Sequence, residues 1–283
     1  MAETGILYIC ATPIGNLEDV SIRLLKTLRQ VDLIACEDTR HTLKLLNRYK
    51  IHKPLTSYHQ HSGLAKEDLI LQELAAGKRV ALVSDAGMPA ISDPGAELVR
   101  RALEAGIKVE AIPGPSALIT ALALSGLDTQ SFIFVGFLPA KGKQRREVLS
   151  SLADQPRTMI FYEAPHRLLK TLADMEELLG GERPIAVARE LTKTFEEIKR
   201  CSIREAAAYF REHEPRGEFT LVVAGQSPQT PAADMEQIAR EVKQLVDQGM
   251  DKKAAFKKKA RQYGIRKSDI YNYYLEHYDH LPD

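Results

Sequence analysis

The chain has 283 residues, room for two α/β domains and a short appendage at the usual ~100–200 residues per domain. Its 44% apolar and 27% charged residues exclude a disordered polymer, and a net charge of +1 gives no overall case for a polyanionic partner. Cys10, Cys36 and Cys201 are scattered without a C-x-x-C pair, which excludes a disulfide framework or thiolate zinc site and fits a reducing compartment.

The first residues, MAETGILYICATPIG, carry no basic stretch, and Thr12 and Pro13 break their apolar run. No segment approaches the ~20 apolar residues of a spanning helix, so a soluble cytoplasmic protein with no membrane contact is expected. Eight short β-branched runs then alternate with amphipathic stretches: ILYIC, DLIAC, RVALVSD, KVEAIP, SFIFVGF, TMIFYE, PIAVARE and EFTLVVA. Continuous apolar cores such as VALV and FIFV suit strands covered by helices on both faces, which makes the fold class α/β. The spacing predicts helices over 20–30, 40–49, 64–76, 94–105, 115–125, 143–153, 165–179 and 202–213, with Pro94 in a first turn and Ser116 at a helix entrance, where capping is its strongest role. A boundary near residue 113 divides 1–113 from 114–226.

QSPQTPAAD, 226–234, has linker composition, and helices are predicted beyond it over 233–248, 251–262 and 267–278, ending near Gly249 and Gly264. This basic tail, 232–283, has helix-turn-helix character, and a dimerisation cap remains an equal alternative. Between Asp251 and Lys267 eight basic residues face one acid, so the charge that the whole chain hides is local and points to a polyanion.

No G-x-G-x-x-G follows the first strand, and neither a P-loop nor a metal motif is present, so no metal is expected. The informative segments lie at strand ends, where open α/β sheets bind ligands. VSDAGMPAISDPG (83–95) combines Gly and Pro with Asp85 and Asp93, giving a stiff backbone that a flat ligand can approach. IPGPSA (112–117) joins a strand to a helix start, and FYEAPHR (161–167) places Glu163, His166 and Arg167 after an apolar strand, chemistry suited to proton handling and phosphate contact.

With ATPIGNLEDVSIR (11–23), ACEDTRHT (35–42) and EFTLVVAG (218–225), these motifs resemble the tetrapyrrole methylase-like class III methyltransferases, in particular the members that act on ribosomal RNA. The resemblance runs through residues 5–225 and extends to the tail. It implies two α/β domains with S-adenosylmethionine in the cleft between them and a homodimer. It also implies 2'-O-methylation of a cytidine in the decoding region of 16S rRNA, within the small ribosomal subunit. The cofactor-contacting positions it implies are Pro13, Asp85, Met88, Ser116, Ala117, Ala164 and Thr220.

Transfer of a methyl to a ribose hydroxyl calls for a proton acceptor, for which Glu163 and His166 are the expected residues, with Asp19 and Asp38 behind them. Arg40, Lys141, Lys143, Arg145, Arg146 and Arg167 are expected to meet phosphates. A tetrapyrrole methyltransferase and a non-enzymatic nucleic-acid-binding protein stand as alternatives. TPIGNLED departs from the glycine-rich first loop of the tetrapyrrole enzymes, and two α/β halves exceed the needs of a binding module.

Overall fold

The computed structural model describes residues 5–59, 63–226 and 235–278. Of the expected linker, 226–234, residues 227–234 lie outside the described residues. The chain divides into two units, Met1–Gly225 and Gln226–Asp283.

The first unit is built on two five-stranded sheets. One is wholly parallel in the order β3-β2-β4-β1-β5, from β1 (Ile6–Cys10), β2 (Leu33–Cys36), β3 (Leu55–Ser57), β4 (Val80–Val83) and β5 (Lys108–Ile112). The helices α1 (Ile22–Gln30), α2 (Thr39–Arg48), α3 (Gly63–Ala75) and α4 (Ala96–Glu104) supply the crossovers that parallel strands demand. VALV is buried at every position between two apolar layers, one around Leu24, Leu28 and Leu46 and one around Ile70, Leu74 and Leu98.

The second sheet is mixed, ordered β6-β7-β10-β8-β9, from β6 (Phe132–Phe137), β7 (Thr158–Glu163), β8 (Pro184–Arg189), β9 (Glu197–Ser202) and β10 (Phe219–Val223). β6 runs parallel to β7, and β10 lies antiparallel between β7 and β8. One face carries Met159, Phe161, Ile185, Val187, Leu221 and Val223 against α6 (Gly142–Ser151), α7 (Pro165–Leu179) and α8 (Ile203–Glu212). The other carries Ile160, Ala186, Ala188 and Val222 beneath α5 (Ala117–Ser125) and the first-sheet residues Ile14 and Ala86, so this apolar layer joins the two sheets.

All eight expected strands form, and two further strands join them. β3 has only three residues, and β9, EIKRCS, carries charges because it is an edge strand. Helix starts follow the local chemistry: Ser21 caps α1 and Asp38 caps α2, while Ser202 and Glu205 form a reciprocal capping box on α8. Pro94 is not in a first turn; α4 begins at Ala96 behind Gly95, whose φ of 136° ends the preceding loop.

The second unit comprises α9 (Met235–Asp247), α10 (Lys252–Tyr263) and α11 (Lys267–Tyr278) around Ile238, Val242, Phe256, Ile270 and Tyr274. A left-handed Gly264 closes α10 before a three-residue turn. Lys259 is spent on Glu241 at 2.7 Å, and the Lys252 ammonium stands 5.0 Å over the Tyr274 ring. Lys253, Lys257, Lys258, Arg261, Arg266 and Lys267 are exposed and have no ion pair among the described residues. No described helix is long and apolar enough to cross a membrane.

Candidate active site

The loops after β1, β2, β4 and β5 leave the carboxyl edge of the parallel sheet, the place where open α/β sheets take ligands. The loops after β1 and β4 are stitched by a short bridge: Thr12 N–H donates to Gly87 O (2.9 Å) and Gly87 N–H donates to Thr12 O (3.1 Å). Thr12 Oγ1 donates to Ser84 O at 3.1 Å. Gly87 has a φ of 77°, which the tight return requires, and a Cβ on Gly114 would lie 3.1 Å from Ala11 Cβ, so the third loop passes close over the first.

The second strand is tied in by its own loop, since Asp38 N–H donates to Asp85 Oδ1 at 3.1 Å. These loops enclose a cavity of about 220 Å³ whose walls include Pro13, Gly15, His41, Thr42 and Asp85. Thr42 Oγ1 is buried in that wall and faces the Cys36 thiol.

Carboxylates gather around this rim. Burial raises Asp93 to about 6, helped by Glu37, Asp85 and, from the second sheet, Glu218, and opposed by a hydrogen bond with Ser84. Burial also raises Glu37, with Asp85 and Asp38 adding repulsion against the attraction of His59. Asp38 is instead lowered to about 2 by its hydrogen bonds with Arg40. Like charges that raise one another in this way favour a cationic ligand.

Among the described residues no group of histidine, cysteine and carboxylate side chains could hold a metal ion. A sulfonium and an ammonium on one small molecule do fit a rim of this sign. S-adenosylmethionine therefore suits the residues present: main-chain groups of the first and second loops for its flat part, carboxylates for its cations.

On the second sheet Tyr162 and Thr220, register partners, share the face that carries the layer between the two sheets. Tyr162 packs edge-on to Phe134 (5.0 Å) and tilted to Phe137 (5.6 Å). Burial raises its pKa, a backbone hydrogen bond from Leu118 opposes this, and Asp93 and Glu218 add to the rise. The Tyr162 hydroxyl thus sits at the first turn of α5. Ser116 is the N-cap residue there, but it makes no side-chain cap bond, so its hydroxyl is not committed to the helix.

The expected site residues divide sharply. Pro13 and Asp85 line the cavity; Ala117 packs into the layer between the sheets; Thr220 is buried beside Tyr162; Met88 lies half-buried against the first-sheet core. Ala164 is the N-cap of α7, with its N–H taken by Glu163 Oε1 (2.8 Å) and its carbonyl by Arg167 N–H (3.0 Å), so only its methyl is free for contact. His166 is exposed in the first turn of α7.

Glu163 is a correction. Strand alternation turns it to the helix-covered face, opposite Tyr162, where its side chain is 0% exposed. It accepts from Thr171 Oγ1 at 2.5 Å and pairs with Arg167 Nε at 3.4 Å. A carboxylate so enclosed has no path to a substrate hydroxyl.

Three of the expected phosphate contacts are engaged by protein groups, Arg145 and Arg167 by burial and Arg146 by ion pairs at a part-exposed site. Arg145 is buried against Asp174 (2.6 Å), Arg146 is shared by Asp174 and Glu177, and Arg167 joins Glu163 to the carbonyl of Leu138. Lys141 and Lys143 are exposed at the start of α6, and the Arg40 side chain is 88% exposed beside its partner Asp38. Asp19 is exposed in a short 3-10 turn, Leu17–Asp19. The sequence reading omitted Tyr162, which sits inside FYEAPHR and which alternation alone sends to the face between the sheets, and gave Asp93 no role of its own.

The chain matches the family described as Tetrapyrrole (Corrin/Porphyrin) Methylases over residues 6–207. It is 49% identical over 273 residues to a ribosomal RNA small subunit methyltransferase I of Synechocystis sp., covering 96% of this chain and 98% of that one. A Thermotoga maritima protein of the same name is 51% identical over 221 residues, 78% of this chain and 99% of the relative, which leaves a stretch the size of the helical tail without a counterpart. In fold it is similar to the cobalamin biosynthetic enzyme cobalt precorrin-4 methyltransferase, with TM-score 0.59 and 20% identity over 77% of this chain and 94% of that one. The chain belongs to the tetrapyrrole methylase family, and within it to the group of ribosomal RNA small subunit methyltransferase I.

Proposed function

We propose that the protein transfers the methyl of S-adenosylmethionine to the ribose 2'-hydroxyl of a cytidine in the decoding region of 16S rRNA, acting on the small ribosomal subunit in the cytoplasm. The near full-length identity with small-subunit rRNA methyltransferases carries this reading. S-adenosylmethionine, when bound, supplies an electrophilic methyl on a sulfonium, so the protein's task is chiefly alignment and removal of one proton.

Pro13, Met88 and Ala117 provide apolar contact for the cofactor, Ser116 and Thr220 provide hydroxyls, and Asp85 holds a cationic centre while fixing the β2 loop through Asp38. Ala164 contributes its methyl at the cleft's far rim. With Glu163 enclosed, the proton acceptor of this reading is Asp93 or the exposed His166. Asp93, at about 6, is deprotonated at neutral pH and yet more basic than an ordinary aspartate, the poise a general base needs. Transfer of labelled methyl to small subunits tests the reading, and a protein that binds S-adenosylmethionine but labels no RNA contradicts it.

Lys141, Lys143 and Arg40 provide phosphate contacts near the cleft, and the exposed cations of α10 and α11 provide a second set. Each phosphate neutralised on a single strand contributes roughly −0.7 to the salt slope of binding. Reversing Lys257, Lys258 and Arg261 together to glutamate is expected to weaken RNA binding and flatten that slope by about 2, with S-adenosylmethionine affinity unchanged. An unchanged slope removes the tail from the RNA interface. Homodimer formation fits the apolar side chains left exposed on α5 and β6, Ile119, Leu124, Phe132 and Phe137.

A further inference from the structure

The hairpin joining β8 to β9 is held more firmly than a surface loop requires. Glu190 and Thr192 adopt left-handed backbone, with φ of 51° and 65°, although neither is glycine. Their surroundings enforce it. Glu190 N–H donates to Glu218 O (3.1 Å) while Glu218 N–H donates to Glu190 Oε1 (3.0 Å). Thr192 N–H donates to Glu196 Oε2 (2.6 Å), and the Lys193 ammonium bridges Glu190 and Glu218 at 3.0 and 3.1 Å. Gly217 admits the Glu190 carboxylate, which would lie 2.3 Å from any Cβ there. Asn16 N–H donates to Thr192 Oγ1 at 3.0 Å, fastening the hairpin to the first loop of the cleft.

On this fixed frame Phe195 stands 75% exposed. Beside it opens a cavity of about 480 Å³, with Tyr209, His213, Arg189 and Arg216 in its walls. Tyr209 and His213 are stacked at 4.1 Å, and the Lys199 ammonium lies 4.0 Å from the Tyr209 ring centre. Arg189 pairs with Glu197 through one terminal nitrogen at 2.8 Å, while its Nε is buried without an acceptor. Arg216 is 79% exposed and pairs with an equally open Glu214.

An exposed ring on a fixed hairpin, a stacked aromatic wall and the open Arg216 guanidinium, held by an equally open Glu214, together match a flat base joined to a phosphate. We infer that the β8–β9 cavity takes one unpaired nucleotide flanking the methylated residue, its base against Phe195 and its phosphate at Arg216. The inference rests on the RNA-methylation reading, and the Asn16–Thr192 tie argues for a neighbouring nucleotide rather than a remote one.

The test is steady-state methylation of small subunits at saturating S-adenosylmethionine by the full chain and by Phe195→Ala, Phe195→Trp and Arg216→Ala, with light scattering on each. Loss of one stacked base raises the KM for RNA about 5- to 150-fold in Phe195→Ala, with kcat and cofactor affinity unchanged. Phe195→Trp restores the KM, and Arg216→Ala raises it with a weaker salt dependence. An unchanged KM in Phe195→Ala, alongside active unmodified protein, overturns the inference alone. A change of oligomeric state in Phe195→Ala also overturns it, since the ring then belongs to an interface between copies. Absence of transfer by the unmodified protein overturns the functional reading and this inference with it.

Discussion

Glu163→Ala is expected to lower the melting temperature while leaving methyl transfer intact in the fraction that folds. Its carboxylate is wholly enclosed between Thr171, the Ala164 amide and Arg167. Removing one member of a buried charged pair costs about 3–5 kcal/mol, because the partner stays buried without compensation. At 2–4 °C per kcal/mol for a unit of this size, the midpoint falls by roughly 6–20 °C. Glu163→Gln keeps an acceptor for Thr171 or Ala164 and loses less. The informative comparison is kcat of Glu163→Gln below its melting range. A fully folded Glu163→Gln protein without transfer activity would return Glu163 to the chemistry and contradict the placement of its side chain away from the cleft.

Asp85→Ala has the second large effect, on cofactor affinity rather than on the fold. The residue is half-buried, lines the cavity and anchors the β2 loop by accepting from Asp38 N–H. A hydrogen bond to a charged group contributes about 1.5–3 kcal/mol, so S-adenosylmethionine binding weakens roughly 10- to 150-fold in calorimetry. Asp85→Asn retains an oxygen for the Asp38 amide and loses only the charge. An asparagine variant that binds as weakly as alanine assigns the effect to charge; one that binds like the unmodified protein assigns it to loop position. Normal affinity in both contradicts the cavity assignment.

The architecture was legible where one physical signal dominated. VALV is buried at every position because helices cover both faces of its sheet, and its unbroken apolarity announces this in the sequence; FIFV, read the same way, is instead the edge strand β6, where Phe132 is exposed and the next three residues are only half-buried. The helices of the tail end where glycine can turn left-handed, as at Gly264. β9 escaped because a charged edge strand resembles an exposed helix or loop in composition, and β3 because three residues carry no period.

The site was legible at the level of loops and less so at the level of side chains. The glycine- and proline-rich strand ends do converge, with Pro13 and Asp85 on one cavity. What single residues do there depends on direction. In TMIFYE the period of two sends Tyr162 to the face between the sheets and Glu163 to the helices, although a reading of the cluster as a whole favours the glutamate. KGKQRR shows the same limit: its lysines stay exposed, while Asp174 and Glu177, some thirty residues later, draw in Arg145 and Arg146. Nothing local to those arginines announces their partners. Phe195 gave no signal at all, because a lone phenylalanine among charges is read as core until the hairpin is seen to hold it outward.

The most direct measurement is incorporation of labelled methyl from S-adenosylmethionine into small ribosomal subunits, followed by nuclease digestion and mass spectrometry of the nucleosides. The account predicts label in 2'-O-methylcytidine from the decoding region. Label on a base, or none at all from a protein shown to bind the cofactor, would contradict it.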